Sequence, residues 1–249
     1  MAGTAVQRRL TWTVATVTGE VRETPSVRTL LLDVPGWAGH RAGQHLDVRL
    51  TAEDGYAAER SYSIATAAEE PVSITVERLD DGEVSPFLTD DLQVGEQFEV
   101  RGPVGGYFVW EKASGGPLLL LAGGSGIVPL RAILRERSRT GSDAPVRLLY
   151  SARSLPDVIY RAELDGYGGL DGVEVTYTLT RHQPPGWTGY ARRVDAALLG
   201  EVAWPAGENP LAFVCGPTSF VETASQGLVG LGYRPGRVKT ERFGGTGGA

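Results

Sequence analysis

The stretch Leu118 to Leu130, LLLLAGGSGIVPL, holds the residue types and spacing best suited to chemistry. Four consecutive leucines suit a strand buried on both faces. The glycine-rich turn Gly123-Gly124-Ser125-Gly126 follows, then Ile127, Pro129 and a helix-like run from Leu130 to Arg139. Strand, glycine loop and helix start together make a seat for a phosphate: backbone N–H groups point outward there, and the helix dipole favours an anion. No Gly-Lys-Ser/Thr follows, so this is not a P-loop. Pro129 stands where the third glycine of the usual dinucleotide fingerprint would be. Taken alone, the loop is equally compatible with a simple tight turn.

Two further loops follow strand-like runs in the same half of the chain, Ser151–Leu155 and Cys215–Thr218. Dinucleotide sites usually hold the ribose 2′-OH with an acidic residue near the end of the second strand. Here that position reads Ser151-Ala152-Arg153-Ser154, with no acid. An arginine and two hydroxyls suit a 2′-phosphate through charge-assisted hydrogen bonds, which favours NADP(H) over NAD(H). The competing reading is a solvated arginine in a surface loop. Cys215-Gly216-Pro217 reads either as a small buried cysteine before a helix or, if a nicotinamide lies beside it, as part of a site. In the front half, Arg60-Ser61-Tyr62-Ser63 sits on an expected strand, where period two puts Arg60 and Tyr62 on one face and Ser61 and Ser63 on the other. The segment Gly82-Glu83-Val84-Ser85 precedes a short helix and could hold a second phosphate or form only a capped turn.

The elements that must position these residues fall into two sets. Trp12–Thr18, Val27–Leu32, His45–Leu50, Arg60–Ala65, Val72–Arg78 and Gln97–Arg101 are short runs with partial alternation, separated by turn residues such as Pro35-Gly36 and Asp54-Gly55. This predicts an antiparallel barrel or sandwich. Ser85 as N-cap and Pro86 as first helical residue predict a helix over Phe87–Asp91. The polar, glycine-rich segment Glu111–Gly116 predicts a linker, dividing the chain into units 1–111 and 117–249. Beyond it, Pro117–Ala122, Val146–Ser151, Val173–Leu179, Leu211–Cys215 and Arg237–Thr240 alternate with helix-like segments, which predicts a doubly wound parallel sheet. The terminal GGTGGA is expected to be mobile.

Composition narrows the classes. Hydrophobic residues at 41% and charged residues at 22% describe a soluble globular protein able to bury a sizeable core. No apolar stretch approaches the ~20 residues of a membrane helix. The first residues lack a signal-peptide core, so a cytoplasmic protein is expected. Residues 1–112 carry a net charge of −8 and residues 113–249 one of +2. The contrast suggests two units with different ligands, and neither is basic enough for nucleic acid. The single cysteine excludes an internal disulfide and a cysteine-ligated iron–sulfur cluster within this chain. His40, His45 and His182 show no metal-ligand spacing.

Arg60-Ser61-Tyr62-Ser63, Gly82-x-x-Ser85, Gly102-Pro103-x-Gly105, Gly123-Gly124-Ser125-Gly126-x-x-Pro129 and Cys215-Gly216-Pro217, in that order, resemble the ferredoxin–NADP reductase superfamily. The resemblance runs from about Thr11 to Phe243. It implies a six-stranded antiparallel barrel holding FAD and a parallel-sheet unit holding NAD(P). It also implies individual roles. Arg60 would pair with the flavin pyrophosphate, with Ser61 beside it in the motif. Tyr62 would lie against the isoalloxazine and ribityl chain, and Ser63 would hydrogen-bond near flavin N5. The backbone of Val76, Glu77 and Arg78 would line the ribityl and diphosphate path. Gly82, Val84 and Ser85 would bind pyrophosphate. Gly123 to Ile127, with Pro129, would cradle the NADP pyrophosphate. Arg153 would meet the 2′-phosphate, assisted by Ser151 or Arg161. Cys215, followed by Gly216 and Pro217, would approach the nicotinamide C4. Lys239-Thr240-Glu241-Arg242-Phe243 resembles the family's carboxyl end, which would bring Glu241 to the reacting centre beside Ser63 and Cys215 and let Phe243 cover the flavin. Six residues follow Phe243 here, unlike a terminal aromatic.

The expected function is therefore that of a two-domain flavoprotein oxidoreductase, resembling the reductase modules of bacterial oxygenase systems. NADPH would deliver hydride to FAD, and electrons would pass to a separate ferredoxin or oxygenase component. A monomer is expected, with neither membrane nor nucleic acid as partner. Two alternatives stay open: a flavin reductase that releases reduced flavin, and a non-catalytic electron-transfer or regulatory subunit of the same fold.

Overall fold

The computed structural model describes residues 10–243. The GGTGGA tail lies outside the described residues. Six antiparallel strands come first: β1 (Thr13–Thr24), β2 (Val27–Asp33), β3 (His45–Thr51), β4 (Ala57–Ser63), β5 (Ser73–Glu77) and β6 (Gln97–Val104). Their order in the sheet is β4-β3-β6-β1-β2-β5. An antiparallel bridge between Ile64 and Ile74 joins the two edge strands, and Ala65 N–H donates to Ser73 C=O at 2.8 Å. The sheet thus closes into a barrel, which removes the unpaired edges that an open sheet would leave. Leu30, Leu46, Val48, Ile74, Val76 and Val100 fill its interior and are almost wholly buried. The period-two alternation of apolar residues along these strands puts them on one face.

A helical turn caps the barrel between β5 and β6. The expected helix over Phe87–Asp91 is present as a single wide turn, with Leu92 N–H donating back to Phe87 C=O at 3.0 Å. Ser85 is not its side-chain cap. Its hydroxyl instead accepts from Leu79 N–H at 3.1 Å and closes the preceding loop.

Beyond Gly116 the architecture changes. Strands β7 (Leu118–Gly123), β8 (Val146–Ala152), β9 (Val173–Leu179), β10 (Leu211–Pro217) and β11 (Val238–Phe243) form a parallel sheet in the order β11-β10-β7-β8-β9. Helices α1 (Ile127–Arg139), α2 (Arg161–Tyr167), α3 (Ala196–Val202) and α4 (Thr218–Gly230) flank it. The four leucines of β7 serve two cores. Leu118 and Leu120 pack on the side of α1 and α2, Leu119 and Leu121 on the side of α3 and α4, and all four are fully buried. This is why the run shows no alternation: burying each leucine stabilises the sheet by about 1.5–3 kcal/mol on either face. Helix α1 begins at Ile127, three residues before the expected start. Pro129 sits in its first turn, where the missing N–H costs nothing.

The two sheets are tied together along α1. Arg131, Arg135 and Arg139, four residues apart, form one stripe. Arg131 Nη1 donates to Ala65 C=O at 3.1 Å, and Arg135 and Arg139 reach Glu70 and Glu69 at 3.1 Å each. Glu136 accepts from Ala68 N–H at 3.1 Å. Elsewhere along the boundary, Lys239 Nζ donates to Val109 C=O at 2.9 Å, and Phe108 meets Phe213 edge-on at 5.1 Å between centroids. Glu111–Gly116, the expected linker, is largely exposed and holds a short turn over Lys112–Ser114.

Candidate functional site: a cleft between barrel and parallel sheet

The chain runs from β7 to β8 and β9 on one side, then returns to place β10 on the other. Open parallel sheets bind ligands at such a switch point, beyond the carboxyl ends of the strands. Here the crevice lies between the loops after β7 and β10, which hold Gly123–Gly126 and Cys215–Pro217. Glycine is required by proximity. A Cβ on Gly126 would sit 2.1 Å from Cys215 O, and one on Gly216 would sit 3.0 Å from Gly123 O. A Cβ on Gly123 would meet the Phe220 ring at 2.9 Å. Gly124 has φ +55°, a left-handed conformation that glycine adopts without penalty. The first turn of α1 has no side-chain cap, so its N–H groups stay available to an anion. Ser125 and Ile127 complete this turn.

The barrel contributes the opposite wall. Tyr62 is half-buried, and burial pushes its phenol well above the ordinary range. Arg60 and the loop before the helical turn come together: Arg60 Nη2 lies 3.0 Å from Glu83 Oε2, and Tyr56 O–H donates to Glu83 Oε1 at 2.9 Å. Gly82 fits closely under Ser85, because a Cβ there would be 2.8 Å from Ser85 Oγ. Val84 and Val76 face the barrel core, so only their backbone is offered to a ligand. Glu77 reaches toward the Gly124 loop, its Oε2 4.0 Å from where a Gly124 Cβ would stand. Arg78 is held by Asp80 and by Asp90 at 2.7 Å. The pleat turns Ser61 away from Arg60 and Tyr62, to the face it shares with Ser63, and its hydroxyl donates to Asp47 Oδ1 at 2.7 Å.

On both sides of the boundary between the two walls, buried polar atoms lack partners. Ser63 Oγ is buried and makes no hydrogen bond among the described residues. The same holds for Glu241 Oε2. Burial pushes the Glu241 carboxyl up to about 7. Cys215, fully buried, is the register partner of Glu241 across β10 and β11. Burial, and secondarily the Glu241 charge, raise its thiol. His45 Nδ1 lies 3.7 Å from Glu241 Oε1, and burial lowers the imidazole. An unpaired buried polar atom costs about 1–3 kcal/mol, a cost that a ligand with a polar edge would relieve. His45 was not anticipated as a site residue. Its only signal was strand alternation, which does not reveal a partner on β11.

The far end of the nucleotide crevice is basic. Arg153 is exposed and makes no ion pair among the described residues, while Arg161 lies 3.6 Å from Asp165. Arg181 N–H and His182 N–H both donate to Arg153 C=O, at 2.9 and 3.1 Å, tying the loops after β8 and β9 together. Ser151 closes the ladder between β7 and β8, opposite Gly123. Phe243 pairs in register with Pro217 and packs against the α1-side core.

A barrel joined to a doubly wound sheet, with a glycine cradle and unpartnered polar groups between them, defines a two-domain flavin- and nucleotide-binding oxidoreductase fold. Comparison with known proteins agrees. Residues 15–109 match the family described as Oxidoreductase FAD-binding domain, and residues 120–226 match Oxidoreductase NAD-binding domain. The chain is 33% identical over 211 residues to a protein named Ferredoxin–NADP reductase B of Sorangium cellulosum, covering 81% of this chain and 84% of that one. It is 32% identical over 233 residues to the Glycine betaine monooxygenase reductase subunit of Chromohalobacter salexigens, covering 91% of this chain and 62% of the relative. A solved ferredoxin NADP+ reductase from Neisseria gonorrhoeae, with bound FAD and NADP, superposes with TM-score 0.81 at 21% identity over 93% of this chain and 98% of that one. The chain belongs to the ferredoxin–NADP reductase superfamily. It spans about three-fifths of the length of the monooxygenase reductase relatives it matches. Among the described residues, no helix is long and apolar enough to cross a membrane.

Proposed function

We propose that this chain is an NADPH-dependent FAD reductase that passes electrons to a separate iron–sulfur or oxygenase-type protein. What supports the reading is the pair of buried, unpartnered oxygens on Ser63 and Glu241, from opposite sides of the barrel–sheet boundary, together with the glycine loops after β7 and β10 at the switch point of the parallel sheet. Bound FAD would supply the hydride-accepting and electron-passing chemistry. The chain's own residues bind, orient and exclude water. Ser63 offers a hydroxyl at the reacting edge, and Glu241 holds a proton beside it. Cys215, too buried to ionise, packs the crevice floor. Arg60 and the loop at Gly82–Ser85 offer charge and N–H groups to the flavin pyrophosphate. Arg153 offers an unpaired guanidinium to a 2′-phosphate, which supports NADPH over NADH. The relatives named as monooxygenase reductase subunits support an oxygenase-type acceptor.

The decisive experiment is the absorbance spectrum of the purified protein before and after anaerobic NADPH. A flavin spectrum that bleaches within one turnover supports the reading. A colourless protein that does not take up FAD, or a yellow one that NADPH leaves unbleached, refutes it.

A further inference from the structure

His45 opens β3 and stands directly across the ladder from Ser63 at the end of β4. It also reaches out of the barrel: its Nδ1 is 3.7 Å from Oε1 of Glu241, on the edge strand of the parallel sheet. We propose that His45 is a positioning residue for Glu241, electrostatically coupled to its carboxyl across the domain boundary and thereby setting whether that carboxyl is charged. The proposal rests on the reading of this cleft as the flavin site.

The geometry leaves each group little else to pair with. Glu241 Oε2 has no hydrogen-bond partner among the described residues, and both side chains are mostly buried. The neighbouring charged groups have partners of their own. Asp47, on the same strand and face as His45, also favours the imidazolium through its charge, and is itself held by Arg101 at 2.7 Å and by Ser61. Arg242, next to Glu241, turns to Glu222. The Cys215 thiol, across from Glu241 on β10, is neutral because it is buried. Gly105 covers the imidazole closely, since a Cβ there would lie 3.4 Å from Nδ1.

Burial disfavours the charged form of each group separately, raising the carboxyl and lowering the imidazole. Moving the proton from carboxyl to imidazole creates two charges within ion-pair reach, so each stabilises the other. Such a pair titrates in two shared steps, and deleting one member must move the other. His45 acts through Glu241, and no step requires it to touch the flavin.

The test is a histidine-ring NMR titration on the full chain, with and without added FAD, His45 being assigned by its loss in His45→Phe. In Glu241→Gln, a near-isosteric change, the His45 midpoint should fall by about one pH unit or more, because the carboxylate that favours the imidazolium is gone. In the reciprocal experiment, the Glu241 carboxyl carbon should titrate about one unit higher in His45→Phe than in wild type. With FAD loaded, the pH limb of flavin reduction should move the same way in His45→Phe. His45→Gln, which keeps polarity but cannot accept a full charge, should leave that limb displaced. Unchanged midpoints in both variants would overturn the proposal. Because the titrations are read on FAD-free protein as well, a chain that binds no flavin would refute the flavin site while still reporting on the pair.

Discussion

Replacing Gly126 by alanine should disable the nucleotide crevice more than any other single methyl group. Gly126 has ordinary helical dihedrals, φ −59° and ψ −11°, so an alanine meets no backbone penalty there. The obstacle is space. The new Cβ would lie 2.1 Å from Cys215 O, 2.4 Å from Cys215 C and 2.7 Å from Gly216 N. All three are backbone atoms of β10, fully buried in the sheet, so no side chain can swing aside. An ordinary contact of this kind is about 3.5 Å, so the two loops must part by more than about 1 Å. Overpacking of this kind costs about 1–3 kcal/mol, and a shift of about 1 Å at a positioning loop can cost about 100-fold in rate. Gly186→Ala serves as the control: its φ is +78° but nothing lies within 4 Å, so it carries the left-handed strain without a clash. Thermal unfolding and stopped-flow flavin reduction by NADPH would be measured on both. Gly126→Ala should lower the melting temperature by several degrees, as about 1–3 kcal/mol implies for a chain of this size, and should raise the apparent Kd for NADPH while FAD stays bound. A variant with wild-type melting and wild-type reduction would show that the β7 and β10 loops do not pack as described, and would remove the argument for the crevice.

Arg60→Ala should lose FAD on gel filtration, since a flavin pyrophosphate would be left short of a cation, at a cost of about 1–3 kcal/mol or more; full flavin occupancy would disconnect Arg60 from the cofactor. Arg153→Ala should lower kcat/KM for NADPH by about 10- to 150-fold and barely change that for NADH, measured with ferricyanide as acceptor; equal losses with both nucleotides would give Arg153 a structural role instead. Glu241 sets a pH dependence of stability: its folded titration lies near 7, above the usual carboxyl range, so the folded state holds a proton that the unfolded state releases. The stability from burying the protonated acid is fully present below about pH 4.5 and is lost as pH rises through about 7, up to roughly 3 kcal/mol. Glu241→Gln should therefore gain melting temperature relative to wild type between those pH values, and parallel pH curves for the two proteins would contradict the buried acid.

Local signals carried the architecture further than the site. The leucines of β7, the glycines after it and the punctuated strands of the front half each report their own surroundings, because burial on two faces, tight turns and period-two pleating leave marks in adjacent residues. The start of α1 was less legible, since Pro129 reads equally well as a boundary or as a first-turn residue. Ser85 has the composition of a helix cap, yet the loop from Leu79 uses its hydroxyl. Neither the Arg60–Glu83 contact nor the approach of His45 to Glu241 leaves any local mark. Both depend on how separate strands are registered. Ser61 was legible in part: period two turns it away from Tyr62, but its partner Asp47 on the neighbouring strand leaves no mark in the motif itself.

The arginine stripe on α1 bears on how this protein could be re-engineered. Arg131, Arg135 and Arg139 read the carbonyl and carboxylates of one short barrel segment, Ala65–Glu70. That makes the helix a key cut for a particular lock. A chimera that grafts a relative's nucleotide half onto this barrel inherits a different key. If its first helix lacks basic residues at these three rungs, Glu69 and Glu70 lose their cations and the hybrid joins its halves loosely, whatever the quality of each half alone. Transplanting segment 65–70 together with the helix should restore the fit, so the exchangeable unit of this fold is larger than the sheet that binds the nucleotide.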